Sequence, residues 1–302
     1  MALLHVSNLS KAYKGNRGVN TLSFTLDQGK CIALIGPNGA GKTTTLRMLA
    51  GLLYPSTGKI EMMGMEHGSD IRAYIGYLPQ FPVFYDWMTG FEFLIYAAEL
   101  TGMNGKEATY RAEVLMKRVG LEDAKKRKIG KYSGGMKQRL GIAQAIIHKP
   151  KLLMLDEPVS ALDPFGRREV LDLLLELKQE MTILFSTHIL NDAEEICEDV
   201  LFLHDGNLVE QGSIQELKEK NQVGKIKVEA SIELAQFVGP LNDSGIFNDI
   251  IVQGKQVICE TDAILAGRKT ILGWVLEAEI PVVKMEVSNL DLEDLFMKVV
   301  KQ

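Results

Sequence analysis

The sequence predicts a three-layer α/β domain with a mostly parallel sheet, followed by a small α+β appendage. Three observations predict it. Up to about Lys220, short apolar runs alternate with amphipathic stretches, the pattern of strands joined by helices. Within that alternation, Gly36 to Thr44 reads Gly-Pro-Asn-Gly-Ala-Gly-Lys-Thr-Thr, a glycine-rich turn set between an apolar run and a helix-like stretch. After Gly224 the periodicity starts afresh, which marks a second unit over 221–302.

Bulk properties narrow the class. A chain of 302 residues can bury a full core and form two domains. Its formal net charge of -5 argues against a general nucleic-acid binder. The 3 cysteines have neither disulfide nor zinc spacing, which predicts a reducing compartment. The start, Met1-Ala2-Leu3-Leu4-His5, lacks the charged region and apolar stretch of a signal peptide. No run reaches the ~18 apolar residues that a spanning helix needs, so any membrane path must belong to another chain.

In chain order, residues 3–9 and 20–26 read as strands, the second alternating with Leu22, Phe24 and Leu26 on one face. Between them lies a polar turn carrying Tyr13, which composition alone leaves an ordinary surface tyrosine. Cys31 to Ile35 is a buried strand and Thr44 to Ala50 a helix. Strands follow at Lys59–Met63 and at the end of Ile71–Leu78, where Pro79-Gln80 breaks the run. From Glu92 to Gly120 the signal is helical, interrupted near Gly102 and Gly105. Lys125 to Lys128 is a basic run, either a solvated face or a phosphate- or membrane-facing patch. Ser133 is placed to cap a helix running through Ile147.

Leu152 to Leu155 is a buried strand ending in Asp156-Glu157-Pro158. Asp163-Pro164 leads into a helix over Arg167–Glu180, and Thr182 to Thr187 is another buried strand, ending at His188. Leu190–Glu198 reads as a helix, with strands at Val200–Leu203 and Leu208–Glu210. In the second unit, strands are predicted at Lys225–Ala230, Ile250–Val252, Gln256–Glu260 and Val282–Val287. Helices are predicted at Ser231–Val238, at Thr261–Leu276 with interruptions at Gly267 and Gly273, and in the tail from Asp291. This unit holds no nucleotide motif and no metal cluster, so its expected role is packing, dimer contact or regulation.

The chemistry follows from the motifs. The Gly-x4-Gly-Lys-Thr pattern of Gly36 to Thr43 lets successive backbone N–H groups point inward, beside the unpaired donors of a helix N-terminus. That is a phosphate cradle, with Lys42 reaching the β- and γ-phosphates and Thr43 ligating Mg²⁺. Asp156 suits Mg²⁺, directly or through water, and Glu157 suits a general base for the attacking water. His188 sits just past the carboxyl end of a strand, where a parallel sheet places chemistry. Ser133-Gly134-Gly135 opens a helix and forms a second anion cradle.

The order of phosphate loop, Gln80, Ser133-Gly134-Gly135, Asp156-Glu157, Asp163 and His188 resembles the nucleotide-binding subunit of an ABC transporter, over roughly residues 3–220. The resemblance implies a P-loop NTPase core over 1–220 with an inserted helical subdomain at about 84–140, and an accessory or regulatory domain over 221–302. It implies ATP and Mg²⁺ as ligands. Tyr13 falls where an aromatic stacks on adenine; Gly36, Asn38, Gly39, Gly41, Lys42, Thr43 and Thr44 form the phosphate loop. Gln80 matches the glutamine that senses Mg²⁺ and the γ-phosphate. Ser133, Gly134 and Gly135 match the signature that closes over ATP held by the opposite subunit. Asp156 matches the Mg²⁺ residue, Glu157 the catalytic base, Asp163 the inter-subunit loop and His188 the switch histidine.

Three positions depart from the common pattern: Tyr132 stands for Leu, Met136 for Gln and Ala161 for Gly. The implied partners are a second copy of the chain or a paralogous ATPase, and separate transmembrane permease subunits, with no nucleic acid. The implied location is the cytoplasmic face of the cell membrane. The tail at Leu292 to Phe296 is similar to bacterial exporter subunits of the ABC-2 type. A soluble ABC ATPase acting on DNA or ribosomes, and a non-hydrolysing regulatory module, are the competing readings.

Overall fold

In the first unit the central parallel strands are covered on both faces, so runs such as Cys31–Ile35 and residues 152–155 are apolar and fully buried. The computed structural model describes residues 1–13, 16–62, 64–65, 69–220, 224–289 and 292–300. The expected Lys14-Gly15 turn, the strand end at Met63 and the tail-helix start at Asp291 lie outside these residues. The chain forms two compact units, Met1–Ser213 and Ile214–Gln302. The expected boundary at 220 therefore moves back to the start of the helix Ile214–Lys220.

The first unit runs β1 (Ala2–Tyr13), β2 (Asn16–Asp27), β3 (Cys31–Ile35), α1 (Lys42–Leu49), β4 (Thr57–Met62), β5 (Ile75–Leu78), α2 (Gly90–Leu100), α3 (Gly105–Arg118), α4 (Gly134–Ala145), β6 (Leu152–Asp156), α5 (Pro164–Leu177), β7 (Thr182–Thr187), α6 (Leu190–Ile196), β8 (Asp199–His204) and β9 (Asn207–Ser213). Strands β5-β6-β7-β3-β8-β9 form one sheet, parallel except for β9. Strands β2-β1-β4 form a separate antiparallel sheet. Leu22, Phe24 and Leu26 of β2 share a core with Leu34 of β3, Leu46 and Leu49 of α1 and Met154 of β6.

Helix starts follow local chemistry. Thr89 and Glu92 make a reciprocal capping box, with the Glu92 carboxylate accepting from the Thr89 N–H at 2.8 Å and Thr89 Oγ1 accepting from the Glu92 N–H at 3.2 Å. Asn104, Ser133 and Asp163 cap α3, α4 and α5. Pro164 follows Asp163 at the first helical position, so α5 starts three residues before the expected Arg167.

The second unit runs α7 (Ile214–Lys220), β10 (Gly224–Ala230), α8 (Gly239–Asp243), β11 (Asp249–Gln253), β12 (Gln256–Thr261), α9 (Ile264–Glu277), β13 (Val282–Asn289) and α10 (Leu292–Val300). Its antiparallel sheet has the order β11-β12-β10-β13. With α8 and α9 as the two crossings, this is the ferredoxin-like βαββαβ arrangement. Burial alternates strictly along β10, so Ile226, Val228 and Ala230 meet Val257, Cys259, Ile271 and Trp274 in one core.

Two expectations fail here. The helix expected over Ser231–Val238 is only a 3-10 turn at Ala235–Phe237, and the α-helix begins at Gly239, with Pro240 in its first turn. Helix α9 is continuous through Gly267 and Gly273. Gly267 is a packing position, since a Cβ there would stand 2.8 Å from Thr261 and 3.2 Å from Ile226 and Phe247.

Gly76 offers a direct test of the first unit's packing. A Cβ at this β5 position would lie 2.2 Å from the Ala145 carbonyl oxygen at the end of α4. Gly76→Ala should cost about 1–3 kcal/mol through backbone displacement, read as a Tm several degrees lower by calorimetry.

Candidate functional site

The parallel sheet brings three strand ends together. Strands β6, β7 and β3 are neighbours, so the residues just past Asp156, Thr187 and Ile35 meet at one edge. That edge carries the loop 36–41, the Asp156-Glu157 pair and His188. It is the crevice where open α/β sheets bind ligands.

The loop has the form the sequence predicts. Gly39 and Gly41 adopt φ of 86° and 101°, which side-chain-bearing residues rarely tolerate. Gly36 is fixed by crowding instead, since a Cβ there would meet the Leu203 carbonyl oxygen at 2.3 Å. Lys42 folds back into its own loop and donates to the carbonyl oxygens of Gly36 at 2.7 Å and Pro37 at 3.3 Å. Asn38, Gly39, Gly41, Lys42, Thr43 and Thr44 line an open cleft of about 280 Å³ together with Gln80 and Glu157.

Glu157 is the hub of this cleft. Its carboxylate is 8% exposed, lies 3.4 Å from Lys42 Nζ, accepts from Gln80 Nε2 at 3.3 Å and sits 3.2 Å from His188 Nδ1. Three residues widely separated in sequence thus converge on one carboxylate. Its backbone is left-handed, with φ of 48°. Such a conformation costs roughly 1–3 kcal/mol and persists where its surroundings impose it. Here Ser186 imposes it: the Glu157 N–H donates to Ser186 Oγ at 3.0 Å and to the Ser186 carbonyl at 3.2 Å.

The same Ser186 hydroxyl donates to Asp156 Oδ1 at 2.7 Å. Asp156 is 1% exposed, and its second oxygen, Oδ2, is buried with no hydrogen-bond partner among the described residues. A buried carboxylate oxygen without a donor is unfavourable unless a cation or its water completes it. With the Thr43 hydroxyl in the cleft, these donors fit a hard, oxygen-bound cation such as Mg²⁺.

The remaining candidates lie elsewhere. Tyr13 is half-exposed at the rim, where its ring packs over Gly18, and Gly18 itself lines the cleft. Ser133, Gly134 and Gly135 form the N-terminus of α4, and Asp163 caps α5 beside it. The two helix starts touch, since a Cβ on Gly135 would stand 3.6 Å from Gly166 Cα. None of these four lines the loop's cleft. Ser133 and Gly134 are exposed, with the Ser133 hydroxyl accepting from the Met136 N–H at 3.2 Å.

Sequence reasoning missed two supporting features. Ser186 was readable only as one of three hydroxyls, with Thr182 and Thr187, in a fully buried strand. The Arg167–Asp192 pair joins the start of α5 to α6 just beyond His188, with Arg167 Nε donating to Asp192 Oδ1 at 2.9 Å. Burial pushes the Asp192 carboxyl above its usual range, against the opposing pull of Arg167. The departure at Tyr132 has a structural reason. Its ring is buried against Gly90, and its hydroxyl donates to the Ala124 carbonyl at 2.9 Å.

A glycine-rich cradle, a buried lysine and paired acids at the edge of a parallel sheet define a nucleotide-binding α/β ATPase. Comparison with known proteins makes the class specific. Residues 19–160 match the ABC transporter family. The chain is 44% identical, over 99% of both chains, to the uncharacterized ABC transporter ATP-binding protein YxlF of Bacillus subtilis. It is 33% identical to the bacitracin transport ATP-binding protein BcrA of Bacillus licheniformis, over 99% of this chain and 97% of that one. An ATP-binding cassette solved as a post-hydrolysis dimer with ADP and phosphate superposes with a TM-score of 0.64 at 25% identity, over 70% of this chain and 98% of that one. The chain belongs to the ATP-binding proteins of ABC transporters, a family of ATP-hydrolysing proteins. Among the described residues, no helix is long and apolar enough to cross a membrane.

Ser186 provides the stability test. Ser186→Ala leaves the Glu157 N–H with its weaker backbone bond alone and strips Asp156 Oδ1 of its donor. Urea unfolding should show a loss of about 1–3 kcal/mol.

Proposed function

We propose that this chain is the ATP-hydrolysing subunit that powers export through separate transmembrane permease subunits. The observation that carries this reading is the convergence of Lys42, Gln80 and His188 on the buried Glu157 carboxylate. A non-hydrolysing module has no use for a strained, buried base held by three polar partners. Relatedness to bacitracin transport ATP-binding proteins supports a transport role over one on DNA or ribosomes.

In the proposed cycle ATP enters the cleft with adenine against Tyr13 and its phosphates in the loop of Gly36, Asn38, Gly39, Gly41, Thr43 and Thr44. Lys42 then exchanges the Gly36 and Pro37 carbonyls for the β- and γ-phosphates. Thr43, Gln80 and Asp156 would hold Mg²⁺, which supplies neutralisation of charge developing on the phosphate oxygens. Released from Lys42, the Glu157 carboxylate accepts a proton from the attacking water. Gln80 and His188 orient that water and the γ-phosphate from either side.

The cleft offers positive charge from one side only. Ser133, Gly134 and Gly135 present free backbone donors on an exposed helix start outside it, so the reading places them over ATP held by a second copy, with Asp163 at the seam. ATP then joins two chains, and hydrolysis lets them part. Coupling to the permease falls to the segment after Gln80 and the helical region at about 84–140. Phe81, Val83 and Trp87 there are 72%, 90% and 70% exposed, an apolar surface suited to a partner. The working location is the cytoplasmic face of the membrane, held by that partner. The second unit, Ile214–Gln302, serves as an accessory or regulatory domain.

Two measurements test this. Glu157→Gln should retain ATP binding but lose at least ~100-fold in turnover, the scale of general-base loss; unchanged turnover would sink the base assignment. Trp87→Glu should leave turnover by the isolated chain unchanged while abolishing co-purification with the permease.

A further inference from the structure

Helix α6 follows His188 directly and has little of its own to hold it in place. It is 7 residues long, too short to be stable alone, and its N-cap, Ile189, makes no side-chain cap. Asp192, Ala193 and Ile196 are its buried residues. The His188 side chain is 45% exposed, so packing does not fix its ring. Thr187 Oγ1 accepts from the Ile189 N–H at 2.9 Å, which closes the turn that carries His188 into α6. Where the start of α6 sits therefore sets where His188 points.

Two ion pairs tie α6 to α5. Arg167 donates from Nε to Asp192 Oδ1 at 2.9 Å, and its Nη2 reaches the same oxygen. Arg168 pairs with Glu195 on the outside. The two pairs differ in burial: the Asp192 side chain is 3% exposed, whereas those of Arg168 and Glu195 are 57% and 41% exposed. A surface pair contributes little. A buried carboxylate depends on its cation. Burial raises the Asp192 pKa, with Glu195 adding to the rise, while Arg167 and, less strongly, His188 oppose it. Asp192 Oδ2 is buried with no hydrogen-bond partner among the described residues, so the carboxylate relies on Arg167. Leu162, Leu171 and Asn191 line an open cavity of about 360 Å³ beside the two pairs, so the helices are not close-packed here.

Arg167 is bound in turn to Asp163. Its backbone N–H donates to the Asp163 carbonyl at 2.9 Å, and Asp163 Oδ1 accepts from the Gly166 N–H at 3.1 Å. Gly166 lies against Gly135 at the start of α4. A continuous path therefore runs from the two helix starts, through Arg167 and Asp192, to α6 and His188. It ends on the Glu157 carboxylate, 3.2 Å from His188 Nδ1.

We propose, on the basis of the role proposed for His188 in orienting water and the γ-phosphate, that Arg167 and Asp192 are positioning residues for ATP hydrolysis. Their pair holds His188 against Glu157 and couples it to the helix start at Asp163. A shift of Asp163 at the seam with a second copy then moves Arg167, Asp192 and His188 together. The exposed Arg168–Glu195 pair joins the same two helices without this role.

ATP hydrolysis by the full chain tests it, followed with radiolabelled ATP at high enzyme concentration so that residual rates are read. The double variant Arg167→Met/Asp192→Leu replaces the buried pair by apolar side chains, so its thermal melt should match that of the wild type. Its kcat should nevertheless fall by about tenfold or more, with KM for ATP within about twofold. Arg167→Lys, which keeps the charge but not the two-nitrogen fork, should lower kcat by a smaller factor. Arg168→Ala should change neither parameter. In a His188→Ala chain, itself impaired, adding the double change should cost nothing further, because both act through one group. Wild-type kcat in the double variant and in Arg167→Lys, or a full further loss on top of His188→Ala, would overturn the proposal alone. Wild-type turnover by His188→Ala would overturn the role of His188 and the proposal with it.

Discussion

The structure depends on holding one carboxylate where the chain would not place it unaided. Glu157 has a left-handed backbone and a buried side chain, two conditions unfavourable for an acid. The side chain is compensated by Lys42, Gln80 and His188, and the backbone by Ser186. They come from three elements: Lys42 from α1, Gln80 from just past β5, and Ser186 and His188 from β7 and its carboxyl end. The strand order β5-β6-β7-β3 is what makes them neighbours, so the sheet topology and the chemistry of the cleft are one constraint.

That arrangement leaves the cleft finished on one wall and open on the other. The groups able to complete it, the donors at the start of α4, sit on the same chain but outside the cleft and exposed. Asp156 keeps a buried oxygen without a donor among the described residues, a second sign of a site organised to receive a ligand. The proposed dimer around ATP resolves both features at once, through the positive end of the partner's helix and a cation beneath the phosphates.

Much of this was legible in the sequence, for physical reasons that can be named. The loop 36–44 is readable because φ above zero and close approach to Leu203 demand glycine at fixed spacing. The caps Ser133 and Asp163 are readable because helix starts need short oxygen-bearing side chains. Strands β3 and β6 are readable because burial on both faces removes polar residues along most of their length, and β7 from its apolar centre at residues 183–185. What one-dimensional spacing could not supply is which strand ends become neighbours: family resemblance gave Gln80 and His188 separate roles, and their meeting on Glu157 is visible only in the structure. The ferredoxin-like order was hidden for the same reason, since β13 pairs with β10 across most of the unit. Gly267 misled because a helix glycine that permits close packing looks, in sequence, like one that interrupts. Tyr132 departs from the usual leucine, and only the nearby Gly90 and Ala124 carbonyl explain how it is accommodated.

The central claim is that each ATP site is shared between two chains, and complementation tests it most directly. One variant, Lys42→Ala, loses the phosphate loop but keeps its helix start; another, Gly135→Asp, does the reverse. Each alone should be inactive. A mixture of the two should hydrolyse ATP well above the sum of the separate activities, because the intact loop of one meets the intact helix of the other. A mixture no more active than its components would contradict a shared site.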